Sequence, residues 1–328
     1  MTGRAFVLVG PNVRLDRAGL SAPAPETVEG LLRQCHGWAA ELGWTLAERP
    51  TEADGIVVGP GITPPPIDVP VAVVERGQGS EGFRWALRHL AFSTAWPATT
   101  LRYGPGPDHV GDLRRPPAGA DPPVAVLLHG GFWSAPWRRD LMDGLAVDLA
   151  RRGWLTWNVE YRRLGTGGGW PATGNDALAA VDAAGKIDGA GQPVTLIGHS
   201  AGAQLALWAA AERRERVARV VSLAGLCDLD LAGRQRVGGT AVEQLLSGEP
   251  PSVASPIDRL PLGVPAIVAH VTSDAVVPAE QSRRYADAAA RAGDTVELME
   301  VAAGDHMSLI DPASAWRAVA ERLPAPPS

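Results

Sequence analysis

The sequence has few of the residues that mark several protein classes. Its two cysteines, Cys35 and Cys227, are far apart and give no disulfide framework or cysteine metal cluster. Lys186 is the only lysine, and a net charge of −6 gives no basic footprint for nucleic acid. No apolar run approaches the ~18 residues of a membrane span, and the N-terminal run is too short for a signal peptide. We therefore expect a soluble cytoplasmic protein without metal, nucleic-acid or membrane partners.

What is present indicates two domains. The 328 residues are long for one domain, and a hydrophobic content of 45% is ample for a core. Short apolar runs alternate with helix-like segments in residues 1–92 and again after a proline-rich stretch at 93–123. This alternation is typical of a parallel sheet covered by helices. The sequence thus predicts a small α/β domain over 1–92 and a larger α/β domain over 93–328.

Residues 198–202 read Gly-His-Ser-Ala-Gly and lie between a strand-like run (194–197) and a helix-like run (203–210). Strand, Gly-x-Ser-x-Gly, helix is the sequence form of a nucleophile elbow, which exposes a serine at the top of a sheet. The pattern is also compatible with a plain glycine-rich turn, since 38 glycines would supply about 0.2 copies by chance. The context favours a serine hydrolase whose nucleophile is Ser200.

A serine nucleophile needs a base and an acid that orients the base, and α/β-hydrolases carry them in the order serine, acid, histidine. His306 is the only histidine that follows both Ser200 and Asp274, and it comes after the last predicted strand. Asp274 follows the strand at 266–271, at the sheet edge where such sites form. An aspartate there can also cap the next helix. Asp228 follows another strand and is the rival acid.

The loop after the strand at 124–128 contains consecutive glycines, which leave backbone N–H groups accessible. We expect an oxyanion hole from Gly130, Gly131 and Phe132, completed by the N–H of Ala201 directly after the nucleophile. Removing one such donor typically raises the barrier by ~3 kcal/mol. The alternative interpretation is a simple turn at the end of a strand.

Aromatic residues near these motifs suggest a substrate pocket for aryl or acyl groups. The chain has 11 tryptophans but only 4 phenylalanines. Trp133 borders the oxyanion loop, and a place in the pocket and a place in the core fit the sequence equally well. Trp170 ends a glycine-rich loop that could border the pocket. His199 adjoins the nucleophile and is a further pocket candidate, although its side chain is expected to point away.

Several blocks together carry a family resemblance. They are His129–Trp133, Glu160–Arg163, Trp170–Pro171, Asn175–Asp176, Gly198–Gly202 and Asp305–Pro312. They resemble α/β-hydrolases of the kynurenine formamidase (arylformamidase) and carboxylesterase group over about residues 98–324. The resemblance implies an α/β-hydrolase fold that cleaves a small-molecule carboxylic ester or (aryl)formyl amide through Ser200, Asp274 and His306 without a cofactor. Asp305 and Met307 depart from the group's usual residues beside the histidine.

The first domain resembles type II 3-dehydroquinase, a flavodoxin-like fold, over residues 7–12, 53–61 and 69–75. That family's tyrosine is missing from the loop 13–25 and its histidine from 74–77, and only Asn12 of the functional set is retained. We therefore expect a degenerate, non-catalytic domain that serves in homo-oligomer formation or in shaping the hydrolase entrance. The alternatives are 3-dehydroquinate dehydratase activity from this domain, and a non-catalytic scaffold protein with a vestigial hydrolase fold.

Overall fold

The computed structural model of the chain describes residues 2–10, 27–117, 122–187 and 193–326. The chain divides into two compact units, Met1–Pro97 and Ala98–Ser328. The division lies beyond the predicted boundary at residue 93 because a helix, Gly79–Ala95, continues through that position. Asn12 and the loop 13–25 lie outside the described residues, so the predictions of a non-catalytic role and of oligomer formation for the first unit stay predictions.

The first unit is a parallel sheet with two helices. Its elements are β1 (Gly3–Leu8), α1 (Val28–Glu41), β2 (Trp44–Leu46), a 3₁₀ helix (Pro50–Glu52), β3 (Gly55–Val58), β4 (Val71–Val73) and α2 (Gly79–Ala95). Thr27 caps α1, since its side chain accepts a hydrogen bond from the Gly30 N–H at 3.0 Å. The strand order β2-β1-β3-β4 is that of the first four strands of a flavodoxin-like sheet.

The second unit contains eight described strands and seven described α-helices. Its strands are β5 (Thr99–Arg102), β6 (Val110–Arg114), β7 (Val124–Leu128), β8 (Leu155–Val159), β9 (Val194–His199), β10 (Val217–Leu223), β11 (Ala266–Val271) and β12 (Val296–Val301). Its helices are α3 (Asp143–Arg151), α4 (Ala172–Ala184), α5 (Ala201–Glu212), α6 (Leu229–Arg234), α7 (Ala241–Leu246), α8 (Glu280–Arg291) and α9 (Trp316–Ala320). Short 3₁₀ helices lie at Arg139–Met142, Arg214–Arg216, Pro251–Val253, Pro256–Arg259 and His306–Ile310.

The larger sheet has the strand order β12-β11-β10-β9-β7-β8-β6-β5. It is parallel from β12 to β8, and only β5 and β6 run antiparallel to their neighbours. The predicted α/β-hydrolase fold is confirmed, and β5 and β6 form a hairpin at its edge. The residue pattern predicts one helix over 312–323, but after a run of turns only Trp316–Ala320 is α-helical. The pattern does not predict α6 and α7.

The central strands position the candidate site. Every residue of β7, β8, β9 and β11 is buried, which fits strands covered by helices on both faces. The carboxyl ends of these parallel strands meet at one edge of the sheet, where ligands bind in open α/β folds. Ser200 follows β9 directly, and Asp274 and His306 follow β11 and β12. Within the described residues, none of the helices combines the length and apolar character needed to cross a bilayer.

Candidate active site

Ser200 lies on a strained turn between β9 and α5. Its φ of 54° and ψ of −118° belong to a region that few non-glycine residues adopt. A Cβ at Gly198 would lie 2.2 Å from the carbonyl oxygen of Gly202, and a Cβ at Gly202 would lie 2.1 Å from that of Leu128. Only glycine fits at either position, which explains the Gly-x-Ser-x-Gly spacing. The geometry is that of the predicted nucleophile elbow.

Asp274 and His306 are hydrogen-bonded to each other. The Nδ1 of His306 lies 2.7 Å from Oδ2 of Asp274, and both side chains are almost fully buried. Because a carboxylate only accepts, Nδ1 carries the proton and Nε2 of His306 is left as the basic nitrogen. The predicted acid and base are therefore brought together in the orientation that general-base chemistry needs.

The two oxygens of Asp274 have different partners. Oδ1 accepts hydrogen bonds from the N–H groups of Val276 (2.8 Å) and Val277 (3.0 Å), so the turn fixes the carboxylate. Oδ2 faces His306 and also lies 3.4 Å from Nε2 of His270. Burial by itself would raise the pKa of Asp274, but hydrogen bonds from His270 and His306, the charge of His306 and the Val276 N–H hold that pKa well below its ordinary value. Asp274 is thus ionised at neutral pH.

The loop that carries His306 begins with a capping box. The side chain of Asp305 accepts from the N–H groups of Met307 and Ser308, and the Ser308 hydroxyl accepts from the N–H of Asp305 at 2.9 Å. This pair ends the extended backbone and starts the 3₁₀ helix His306–Ile310. Asp305, which departs from the resemblance, therefore has a local structural role.

His199 connects the nucleophile turn to the histidine loop. It precedes Ser200, and its Nε2–H donates to the backbone carbonyl of His306 at 3.0 Å, with the two rings 4.6 Å apart. Among the described residues, Ser200 Oγ makes no hydrogen bond of its own. His199 is 1% exposed, so its side chain joins the nucleophile turn to the His306 loop and does not line a pocket. The pocket position predicted for His199 is wrong for this reason.

Burial, reinforced by the nearby charge of His306, lowers the pKa of His199 to about 3. The unfolded chain takes up this proton below its ordinary pKa of 6.5, whereas the folded chain does not. The contribution of His199 to the free energy of unfolding is therefore fully present above pH 6.5. It decreases by about 1.4 kcal/mol per pH unit as the pH falls from 6.5 towards 3. We expect His199→Gln to lack this dependence while keeping a donor near Nε2.

Urea unfolding of both proteins between pH 4 and pH 7 measures the effect. The difference in unfolding free energy between wild type and variant should be constant above pH 6.5 and change steadily below it, because all other titrating groups are shared. A difference that does not vary with pH would contradict a neutral, buried His199.

The predicted oxyanion loop lies beside Ser200. A Cβ at Gly130 would lie 3.0 Å from the Cβ of Ser200. Gly131 and Phe132 have φ values of 108° and 51°, which turn the chain sharply after β7. The N–H of Ala201, at the first position of α5, has no acceptor among the described residues. All four predicted donors are therefore at the carboxyl edge of β7 and β9.

Three other predictions are corrected or refined. Asp228 is a helix cap, since its side chain accepts from the Leu231 N–H at 2.9 Å and pairs with Arg284, whereas His306 is hydrogen-bonded to Asp274. Trp133 has no exposed surface and donates from Nε1 to Gln204 at 3.1 Å, which makes it a core residue and not a pocket wall. Trp170 is half-buried with its ring edge-on to Trp208.

Sequence reasoning assigned no role to two buried groups that contact the site. Glu160 directly follows β8 and pairs with His129 at 2.8 Å, and His270, the penultimate residue of β11, lies beside Asp274. A polar residue at the end of a fully buried strand is the signal that could have found both. Phe132 also has an unpredicted neighbour, because a Cβ on Gly238, between α6 and α7, would lie 2.4 Å from its ring. The described residues include no group of His, Cys, Asp or Glu that could hold a metal ion.

The sequence model of the BD-FAE family matches residues 112–288, a range that includes Ser200 and Asp274. A truncated form of a carbohydrate esterase from gut microbiota is similar with a TM-score of 0.59 and 19% identity, over 65% of this chain and 91% of that one. Thermogutta terrifontis esterase 2 phosphonylated by sarin has a TM-score of 0.55 and 20% identity, over 65% of this chain and 86% of that one.

A bifunctional GH43-CE protein of Bacteroides eggerthii is similar with a TM-score of 0.57 and 21% identity, over 63% of this chain. This chain spans 35% of that protein's length. No curated protein matches the chain. At these identities the likeness to the solved structures establishes a shared fold.

Proposed function

Because the match to the BD-FAE family covers more than half of this chain, the chain belongs to that family, and we propose that it hydrolyses carboxylic esters through an acyl-enzyme on Ser200. The observation that carries the proposal is the buried hydrogen bond between Asp274 and His306 next to the strained turn of Ser200. The esterases among the similar structures support the same reaction class.

The chemistry follows from the protonation pattern. Nε2 of His306 removes the proton of Ser200 as Oγ attacks the ester carbonyl carbon. The oxygen of that carbonyl becomes an oxyanion, which the N–H groups of the oxyanion loop and of Ala201 would stabilise. Collapse of this intermediate breaks the bond to the alcohol, which leaves with the proton from His306. Water then attacks the acyl-enzyme by the same route and releases the acid.

A fluorophosphonate probe tests this proposal on the intact protein. Its phosphorus is attacked by an activated serine, so we expect a single covalent adduct on the peptide that contains Ser200, found by mass spectrometry. Ser314, an exposed serine near the C-terminus, provides the control: Ser314→Ala should label as wild type does. Absence of labelling would favour the non-catalytic scaffold, and labelling at another serine would show that Ser200 is not the nucleophile.

We extend the proposal to formyl amides, because the sequence blocks resemble the arylformamidase group and both substrates undergo the same acyl transfer. The harder step for an amide is the departure of nitrogen, which needs the proton of His306. Steady-state kinetics with N-formylkynurenine beside p-nitrophenyl acetate and butyrate compares the two classes. Turnover of the esters alone restricts the activity to ester hydrolysis.

A further inference from the structure

Hydrogen bonds hold the two carbonyl groups of Gly130 and Gly131 in the oxyanion loop. The Gly130 carbonyl accepts a hydrogen bond from Nδ1 of His129 at 2.8 Å. The Gly131 carbonyl accepts two, from the N–H of Ser134 at 3.0 Å and from its hydroxyl at 2.7 Å. The loop therefore has little freedom to rotate its two central peptide groups.

This arrangement orients the N–H groups. In a trans peptide the N–H of one residue points opposite to the carbonyl of the residue before it. Because the Gly130 carbonyl is held by His129, the Gly131 N–H points away from the His129 ring. Because the Gly131 carbonyl is held by Ser134, the Phe132 N–H points away from Ser134. Neither N–H has an acceptor in the described part of the chain. Both are free to receive a developing negative charge.

The ring of His129 donates from both nitrogens. Nδ1 faces the Gly130 carbonyl, and Nε2 lies 2.8 Å from a carboxylate oxygen of Glu160. A carbonyl and a carboxylate can only accept, so the ring must carry two protons. His109 makes the contrasting pattern, because its Nδ1 accepts from the Gly106 N–H at 3.0 Å. That ring is protonated on one nitrogen only in this geometry.

The surroundings of His129 fix its ring and keep its carboxylate partner, Glu160, ionised. His129 and Glu160 are buried, and the ring of Tyr161 is stacked on His129 with its hydroxyl on the His129 carbonyl at 2.7 Å. Burial would raise the pKa of Glu160, but His129, Arg163 and the Arg139 N–H lower it further than burial raises it, so this carboxylate stays ionised. Arg163 also donates to two carbonyls farther along the same loop, at Ala135 and Trp137.

We propose that His129 is a positioning residue that Glu160 keeps in the imidazolium form, and that its second proton, on Nδ1, orients the Gly130–Gly131 peptide as an oxyanion donor. The proposal rests on the ester hydrolysis proposed above. A neutral His129 could donate to Glu160 or to Gly130, but not to both. The ion pair therefore holds the loop in its donating conformation even before a substrate arrives.

The first test requires no catalytic activity. Protein labelled with ¹⁵N in its histidine rings should show two protonated ring nitrogens for His129 by NMR at pH 7, and His109 is the reference for a singly protonated ring. The His129 signals are assigned by their loss in His129→Gln. A single protonated nitrogen on His129 at pH 7 would overturn the proposal.

The second test is kinetic. Glutamine can reach Glu160 as Nε2 does but lacks a donor at the Nδ1 position, so His129→Gln should lower kcat by about 10²-fold with little change in KM. The inhibition constant of a trifluoromethyl ketone, which forms an oxyanion on the serine, should rise by the same factor as kcat/KM falls. His109→Gln is the matched control and should leave both unchanged.

A loss of kcat in His129→Gln without weaker binding of the ketone would overturn the positioning role, since general damage to the fold does not follow the oxyanion selectively. Unfolding midpoints of both variants identify such damage. If the wild type neither hydrolyses esters nor labels at Ser200, the proposed function fails, while the NMR measurement still decides the state of His129.

Discussion

Replacing Ser200 by alanine is expected to lower kcat/KM for p-nitrophenyl esters by ~10⁴-fold or more, because removal of a triad member typically has that effect. Alanine has a Cβ like serine, so the backbone strain at φ 54° is the same in both proteins. The Ser200 Oγ makes no hydrogen bond with any described residue, and its loss leaves no buried group without a partner. The folded state should therefore be as stable as that of wild type.

Initial rates with p-nitrophenyl acetate and butyrate measure this prediction, with a urea unfolding curve for each protein. Ser314→Ala, a serine-to-alanine change at an exposed position, should retain wild-type rates. A variant of Ser200 that loses only about tenfold would show that the serine is not the nucleophile.

Replacing Asp274 by asparagine is expected to lower kcat by ~10⁴-fold, and the structure supplies a specific reason. Two backbone N–H groups donate to Oδ1, so the amide of asparagine must place its oxygen there. Its NH₂ group then faces Nδ1 of His306, where Oδ2 accepts a proton in the wild type. His306 is driven to the tautomer protonated on Nε2, which cannot accept the proton of Ser200.

Two further variants make the result specific. Asp287→Asn changes an exposed residue of α8 and should leave the rate unchanged. Asp228→Asn alters the rival acid, which caps α6, and should retain kcat within a few-fold because that side chain does not contact His306. A larger loss of kcat in Asp228→Asn than in Asp274→Asn would transfer the role of the acid to Asp228.

The parts of the site that the sequence predicts are local. The elbow is defined by five consecutive residues, and the order of Ser200, Asp274 and His306 follows from the loops after successive strands. The pairs that support the site join distant positions, such as His129 with Glu160 and His199 with His306. Which side chains meet there depends on the alignment of neighbouring strands, which periodicity alone does not determine. Trp133 shows the same limit, because its partner Gln204 lies on α5.

The helix signals of the second unit have a similar limit. The segment 229–246 forms two short helices of six residues each, too short to produce a clear apolar period. At the C-terminus, the predicted helix over 312–323 contains a run of turns, so only Trp316–Ala320 is α-helical. Packing decides the extent of such short helices more than local preference does.

The glycines of the elbow separate what can vary in this molecule from what cannot. Gly198 lies against the backbone carbonyl of Gly202, and Gly202 lies against that of Leu128, so no side chain can be introduced at either glycine without moving a strand or a helix. Phe132, by contrast, contacts the segment between α6 and α7 through its ring. A substitution in that segment can therefore shift the Phe132 ring while the nucleophile turn stays constant. We expect a directed-evolution library built there to alter the surroundings of the oxyanion loop and to leave the backbone of the elbow intact.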